Sequence, residues 1–109
     1  MSVDYHMVIS YGFPIGRAID EDKDEELLRD FREKGVCYCT DGNGFTGDLE
    51  DYVCIKSMLV NLPSFDDREK RIKIPSMILD EEINILEEKA EQFGVPDEKI
   101  DWYFIGMIF

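Results

Sequence analysis

Within 109 residues the hydrophobic period of this chain switches repeatedly between two and roughly 3.6, and that switching constrains the fold more than any other feature. Tyr5, Met7, Ile9, Tyr11 and Phe13 alternate with His6, Val8, Ser10 and Gly12, the pattern of a first strand, which Pro14 and Gly16 end. Six acids in the seven residues from Asp20 to Glu26 lead into a helix carrying Leu27, Leu28 and Phe31. Gly35 supplies its left-handed stop, with Val36 placed to touch Phe31. Val36 to Thr40 reads as a short second strand and DGNGFTGDLED as a turn region. Tyr52 to Leu62 reads as a longer strand closed by Pro63. Ser64 to Lys70 reads as a charged loop, with a short edge strand over Arg71 to Ile74 before Pro75.

The second helix is the clearest element. Leu79, Ile83, Leu86, Ala90 and Phe93 recur at steps of three and four and form one apolar stripe. Asp80, Glu81 and Glu82 stand at its positive end, and Gly94, Val95 and Pro96 stop it. The chain then ends in a strand, IDWYFIGMIF. The order β-α-β-β-α-β predicts an α+β fold of ferredoxin-like type, a four-stranded antiparallel sheet with two helices on one face. The chain length fits one domain over residues 1–109.

The last strand is apolar on both faces, with Trp102, Phe104 and Ile108 on one and Tyr103, Ile105, Met107 and Phe109 on the other. An antiparallel sheet covered by helices on one side commonly turns a polar face to water on the other. The second face therefore calls for a cover: the long loops, a copy of the chain, or a partner. Self-association or partner binding is the expectation carried forward, centred on Trp102, Tyr103 and Phe104.

Charge limits what the surface binds. Twenty-five Asp and Glu face twelve Lys and Arg, a formal net charge of −13. Proteins that grip nucleic acids or anionic membranes gain affinity by neutralising phosphates, and this surface repels them. No apolar run approaches the ~20 residues of a membrane helix. The opening MSVDYHMVIS has no basic stretch ahead of an apolar one, so no secretory signal is expected. Three cysteines without a disulfide-framework spacing fit a reducing, cytoplasmic setting.

Motifs for chemistry are weak. Cys37 and Cys39 share one face of a strand and Cys54 lies on the expected neighbour. However, C-x-C is not a zinc knuckle, and free cysteine often packs as a small hydrophobe. His6, on another strand, is the single histidine and so the single imidazole base for a thiolate. From Asp41, a calcium loop would need an oxygen ligand at its fifth position, Gly at its sixth and Glu at its twelfth; Phe45, Thr46 and Tyr52 stand there. Gly42, Gly44 and Gly47 make no phosphate loop, since four acids and no base lie between Asp41 and Asp51. Arg17, after Gly16, matches no phosphate-binding motif, and no RNA-recognition signature is present. No catalytic residue, metal or cofactor is assigned, and the chain is not expected to be an enzyme.

The acids cluster. Residues 20–34 hold eight acids against four bases, 41–51 four against none, and 80–91 six against one. The main expectation is a small acidic protein-binding module. Its partner surface is Asp20, Glu21, Asp22, Asp24, Asp48, Glu50, Asp51, Glu81, Glu82, Glu88 and Glu91. A broad negative face of this kind mimics a phosphate backbone and suits a basic, nucleic-acid-handling protein. In composition alone the chain resembles small acidic inhibitors of nucleic-acid enzymes, often phage-encoded. The alternative is a dimeric small-molecule binding or sensor domain in which Tyr5, Tyr11, Trp102 and Tyr103 line a pocket.

Overall fold

The computed structural model describes residues 5–61 and 78–108, and side chains over 7–61 and 78–106. It is an α+β fold of two helices and a five-stranded, predominantly antiparallel sheet. The strands are β1 (Tyr5–Pro14), β2 (Val36–Asn43), β3 (Asp48–Ile55), β4 (Val60–Asn61) and β5 (Asp101–Ile108). The helices are α1 (Glu25–Lys34) and α2 (Asp80–Phe93).

β1 is the axis of the sheet. One edge pairs with β5 along eight residue pairs, from Tyr5↔Ile108 to Gly12↔Asp101. The other edge meets β3 at Gly12–Pro14 and β4 at Val8 and Ile9. The single strand expected over 52–62 is thus the end of β3 and the two-residue β4, both on the same edge of β1. A 3-10 turn at Lys56–Met58 separates them and shifts the register by three residues. No Gly or Pro marks that break, and it buries Met58 into the core. Pairing at Gly12 is very close: a Cβ there would come within 1.9 Å of the Val53 carbonyl oxygen, so only glycine fits.

The turn region expected from DGNGFTGDLED shrinks to Gly44–Gly47, because β2 and β3 extend into it as far as Asn43 and Asp48. Asn43 makes the hairpin: its Oδ1 accepts from the Phe45 N–H at 2.8 Å and its carbonyl from the Gly47 N–H at 3.0 Å. The edge strand expected over 71–74 lies outside the described residues.

Both helices pack on one face of the sheet. Phe31, Leu86 and Ala90 join Phe13, Val36, Val53, Ile55 and Met58 in one buried cluster, with Tyr11 and Trp102 against it. Phe93 stands 6.3 Å from both Phe13 and Phe31, ring centre to ring centre, and so links strand and helices. Both helices stop as expected, at Gly35 and Gly94 in the left-handed region with φ of 70° and 69°. Leu79, expected in the apolar stripe of α2, instead precedes the helix and is exposed.

The opposite face carries a second, smaller core. Val8, Cys54 and Ile105 are buried there, with Cys37, Cys39, Tyr52, Leu59 and Tyr103 around them. It is covered because the sheet curls on itself. The ends of β2 and β5 meet in parallel at Gly42↔Met107 and Asn43↔Ile108, which joins β1, β3, β2 and β5 in a circuit. The Gly106 N–H donates to Asp41 Oδ1 at 2.8 Å beside this seam. Gly42, at φ 131°, allows the approach of the hairpin strands; a Cβ would lie 1.9 Å from the Asp48 carbonyl oxygen. Tyr103 and Ile105, on the second apolar face of β5, thus find a cover within the chain, while the side chains of Met107 and Phe109 lie outside the described residues. The expected interface residues are split: Trp102 packs under the helices, Tyr103 faces the second core, and Phe104 is 66% exposed.

Candidate functional site

The acids expected to meet a partner fall into two regions of the surface. The first is built by the segment between β1 and α1, which docks on β3. The Ile15 N–H donates to the Asp51 carbonyl at 3.1 Å, and the Asp51 N–H to that of Arg17 at 3.0 Å. The Gly16 N–H donates to Glu50 Oε1 at 3.2 Å. Residues 20–24 and 48–51, far apart in the chain, are brought together by this docking.

Asp51 is the anchor and does not belong to the surface. At 2% exposure its carboxylate accepts from the Ile19 N–H and from Thr40 Oγ1, both at 2.6 Å. A buried carboxylate that accepts from two donors holds the fold in place and is not presented to a partner. The expectation that Asp51 faces a partner is corrected accordingly.

Around that anchor the acids are exposed or half-buried, and several are engaged. Asp20 Oδ1 accepts from the Asp22 and Lys23 N–H groups, closing a turn ahead of α1. Asp24 accepts from the Asp20 N–H at 3.0 Å and from Arg17 Nη1 at 3.1 Å. The hydrogen bond from Arg17 holds the Asp24 carboxyl below its ordinary range. Tyr38 donates its hydroxyl to Glu21 at 2.7 Å, and this bond, with some burial, pushes the phenol up to about 12. Asp48 accepts from Thr46 Oγ1 at 3.0 Å at the hairpin tip.

The second region lies on α2 and the edge of α1. The helices lie side by side, joined by Lys34 to Glu88 at 3.0 Å and by Lys89 to Asp30. Lys89 is fully buried, its ammonium also 5.8 Å from the Phe31 ring centre. Its hydrogen bond holds the Asp30 carboxyl below its ordinary range. Glu82 turns inward to the helix start, accepting from the Leu79 N–H at 3.2 Å and from the Ser57 hydroxyl. Glu81 and Glu91 are exposed with no partner among the described residues.

A depression of about 520 Å³ borders α2 and the 3-10 turn Asp97–Lys99, lined by Asn84, Glu87, Glu88, Glu91, Val95 and Asp97. Glu87 and Asp97 were missed among the expected site residues. The spacing of Glu87, Glu88 and Glu91 at i, i+1 and i+4 carries the signal for one helix face. Only the topology brings Asp97 beside them.

The cysteines do converge. Cys37 and Cys54 are register partners across β2 and β3, and Cys39 follows on the same face. Cys54 donates to the Tyr52 carbonyl at 3.7 Å. The neighbouring Cys39 thiol and burial push the Cys37 thiol well above its ordinary value. For Cys39, Cys37 pulls downward, but Cys54, burial and nearby Asp51 outweigh it and push the thiol up to about 12. Such thiols stay protonated at neutral pH and are poor nucleophiles. No group of three or more His, Cys, Asp or Glu among the described residues is arranged to hold a metal ion. The His6 side chain lies outside the described residues.

The aromatic pocket expected for a small molecule is not assembled. Tyr11 packs edge-on to Trp102 at 5.5 Å under the helices, while Tyr103 packs on Tyr52 at 5.0 Å on the other face. The Tyr5 side chain lies outside the described residues. No described helix is long and apolar enough to cross a membrane. No protein-family model, curated protein or solved structure matches this chain.

Proposed function

We propose that this chain is a small acidic protein-binding module that presents a negative surface to a basic, nucleic-acid-handling partner and blocks it by mimicking phosphate charge. The observation that carries the reading is the acidic depression on α2, where Glu87, Glu88, Glu91 and Asp97 come together and Lys34 offsets only Glu88. A surface charged in this way steers a basic protein into encounter and makes association strongly salt-dependent. The docked segment at Asp20, Glu21 and Asp22, with Asp48 and Glu50 beside it, extends the same sign over a second region. A cytoplasmic setting and a ferredoxin-like reading of the sandwich, its sheet closed at one corner by the β2–β5 seam, belong to this proposal.

The test is charge reversal at Glu87 and Glu91, exposed acids with no partner among the described residues, with Glu81 kept at the positive end of the helix. Glu82 and Glu88 are left alone because they hold the helix start and Lys34. The Glu87→Lys, Glu91→Lys variant should melt as the parent does, yet release a captured nucleic-acid-handling protein at clearly lower salt. Equal retention by the variant and the parent would remove the α2 face from the mechanism.

A further inference from the structure

The seam between β2 and β5 is closed at one end only. Beyond Gly42 and Asn43, residues 36–41 of β2 have no strand on their outer edge among the described residues. The direction of their backbone groups follows from the hairpin. The Lys56 N–H donates to the Gly35 carbonyl at 3.0 Å, so odd-numbered residues of β2 bond to β3 and even-numbered ones point away. The N–H and C=O groups of Val36, Tyr38 and Thr40 therefore face the open edge. Neither proline nor lysine, the usual protections of an exposed edge, occurs in VCYCTD.

A cavity flanks this edge on each face of the sheet. On the helix side, about 430 Å³ is bordered by Glu21, Glu25, Leu28, Arg32 and Tyr38. On the curled side, about 380 Å³ is bordered by Val8, Cys37, Cys39, Leu59 and Ile105, with Lys56 its one charged residue. A strand added to β2 would send alternate side chains into the two spaces. The first holds two carboxylates against one guanidinium and suits a basic side chain. The second is apolar with a cation at its rim, and suits an aliphatic one.

We propose that the open edge of β2 docks an extended segment of a partner protein in which basic and aliphatic residues alternate. The backbone supplies affinity by strand addition and the two cavities supply the pattern. A second copy of this chain is disfavoured as occupant. Pairing β2 with β2 would bring Glu21 and Glu25 of two chains together, each chain at a net charge of −13. This inference rests on the acidic-module reading only for the charge of the partner, and it names a different contact.

The experiment uses the full chain and the end-capped hexapeptide Lys-Val-Lys-Val-Lys-Val, followed by amide hydrogen exchange in NMR. With the peptide bound, the Tyr38 and Thr40 amides should exchange at least about tenfold more slowly, while those of Cys37 and Cys39, already bonded to β3, should not change. The same peptide N-methylated at alternate residues, in both registers, keeps its charge but loses strand hydrogen bonds. It should bind at least about tenfold more weakly in one register. Binding without protection of Tyr38 and Thr40, equal binding by both N-methylated peptides, or no binding would each overturn edge docking. Binding with no edge protection would leave the acidic surface standing, and the α2 charge reversal decides that surface independently.

Discussion

The two faces of the sheet are built from the same strands and end up with different properties. On the helix side, alternate residues of all four long strands are sealed by α1 and α2 into a core with Phe13, Phe31, Val53, Leu86 and Ala90 almost wholly buried. On the other side no helix arrives among the described residues. The sheet covers itself by curling, and the result is a three-residue core ringed by thiols and tyrosines. Sealing by helices closes the strands where α1 and α2 lie across them, and leaves Met7 and Phe104 exposed further along the same face. Curling gives closure only where the edges meet, and leaves a slot where they diverge. Stability should therefore concentrate on the first face, and accessible backbone on the second.

Truncation tests that division most severely. Leu86→Ala removes a fully buried side chain from between helix and sheet and should cost about 3–5 kcal/mol. Cys54→Ala, equally buried on the curled side, should cost roughly 1–2 kcal/mol, since it deletes one sulfur from a smaller cluster. Denaturant unfolding of both variants measures the contrast. Equal losses would mean that the curled core contributes as much as the helix-covered one.

Much of the helix side was legible in the sequence, because it is written in local periods. Phe13 falls in the alternation of β1, Leu86 and Ala90 in the stripe of α2, and Gly35 and Gly94 at the stops. Leu79 was misread because it matches the stripe but sits one residue outside the helix. The curled side is set by non-local geometry. Two residue pairs close the seam, and a three-residue 3-10 turn without Gly or Pro splits the strand after Ile55. Nothing in a local window encodes either. The candidate site shows both cases. Asp51 shares strand parity with Val53 and Ile55, so its burial was readable from alternation. Lys89, in a run of acids, looks solvated until Asp30 of α1 is placed opposite.

The thiols sharpen the comparison, because they border a cavity yet are held protonated. Raised pKa values at Cys37 and Cys39 mean that the folded chain keeps protons an unfolded one would release. This contribution to stability is complete below the ordinary thiol value and is lost as pH rises toward about 12 for Cys39. Alkylation by iodoacetamide at pH 8 should run at least about a hundredfold slower at Cys37 and Cys39 than at a free small thiol. The rate should keep climbing with pH beyond the point where a free thiol levels off. Site-resolved mass spectrometry reads both features. Fast alkylation of either residue at pH 8 would show a thiolate on the curled face, and with it a chemistry that these contacts argue against.

The smallest expected effect lies at Ser10, fully buried in β1 with a hydroxyl that has no hydrogen-bond partner among the described residues. Its strand parity with Val8 and Gly12 directs it to the curled face. A hydroxyl taken from water without a partner costs more than the few atomic contacts it makes in return. Ser10→Ala should therefore leave stability unchanged or raise it by about 1 kcal/mol, read as a later denaturant midpoint at constant slope. A loss of about 1 kcal/mol or more would mean that the hydroxyl is satisfied by water. Water at that depth would make the curled core wet, and the division between a sealed face and a slotted one would reach into the middle of the sheet.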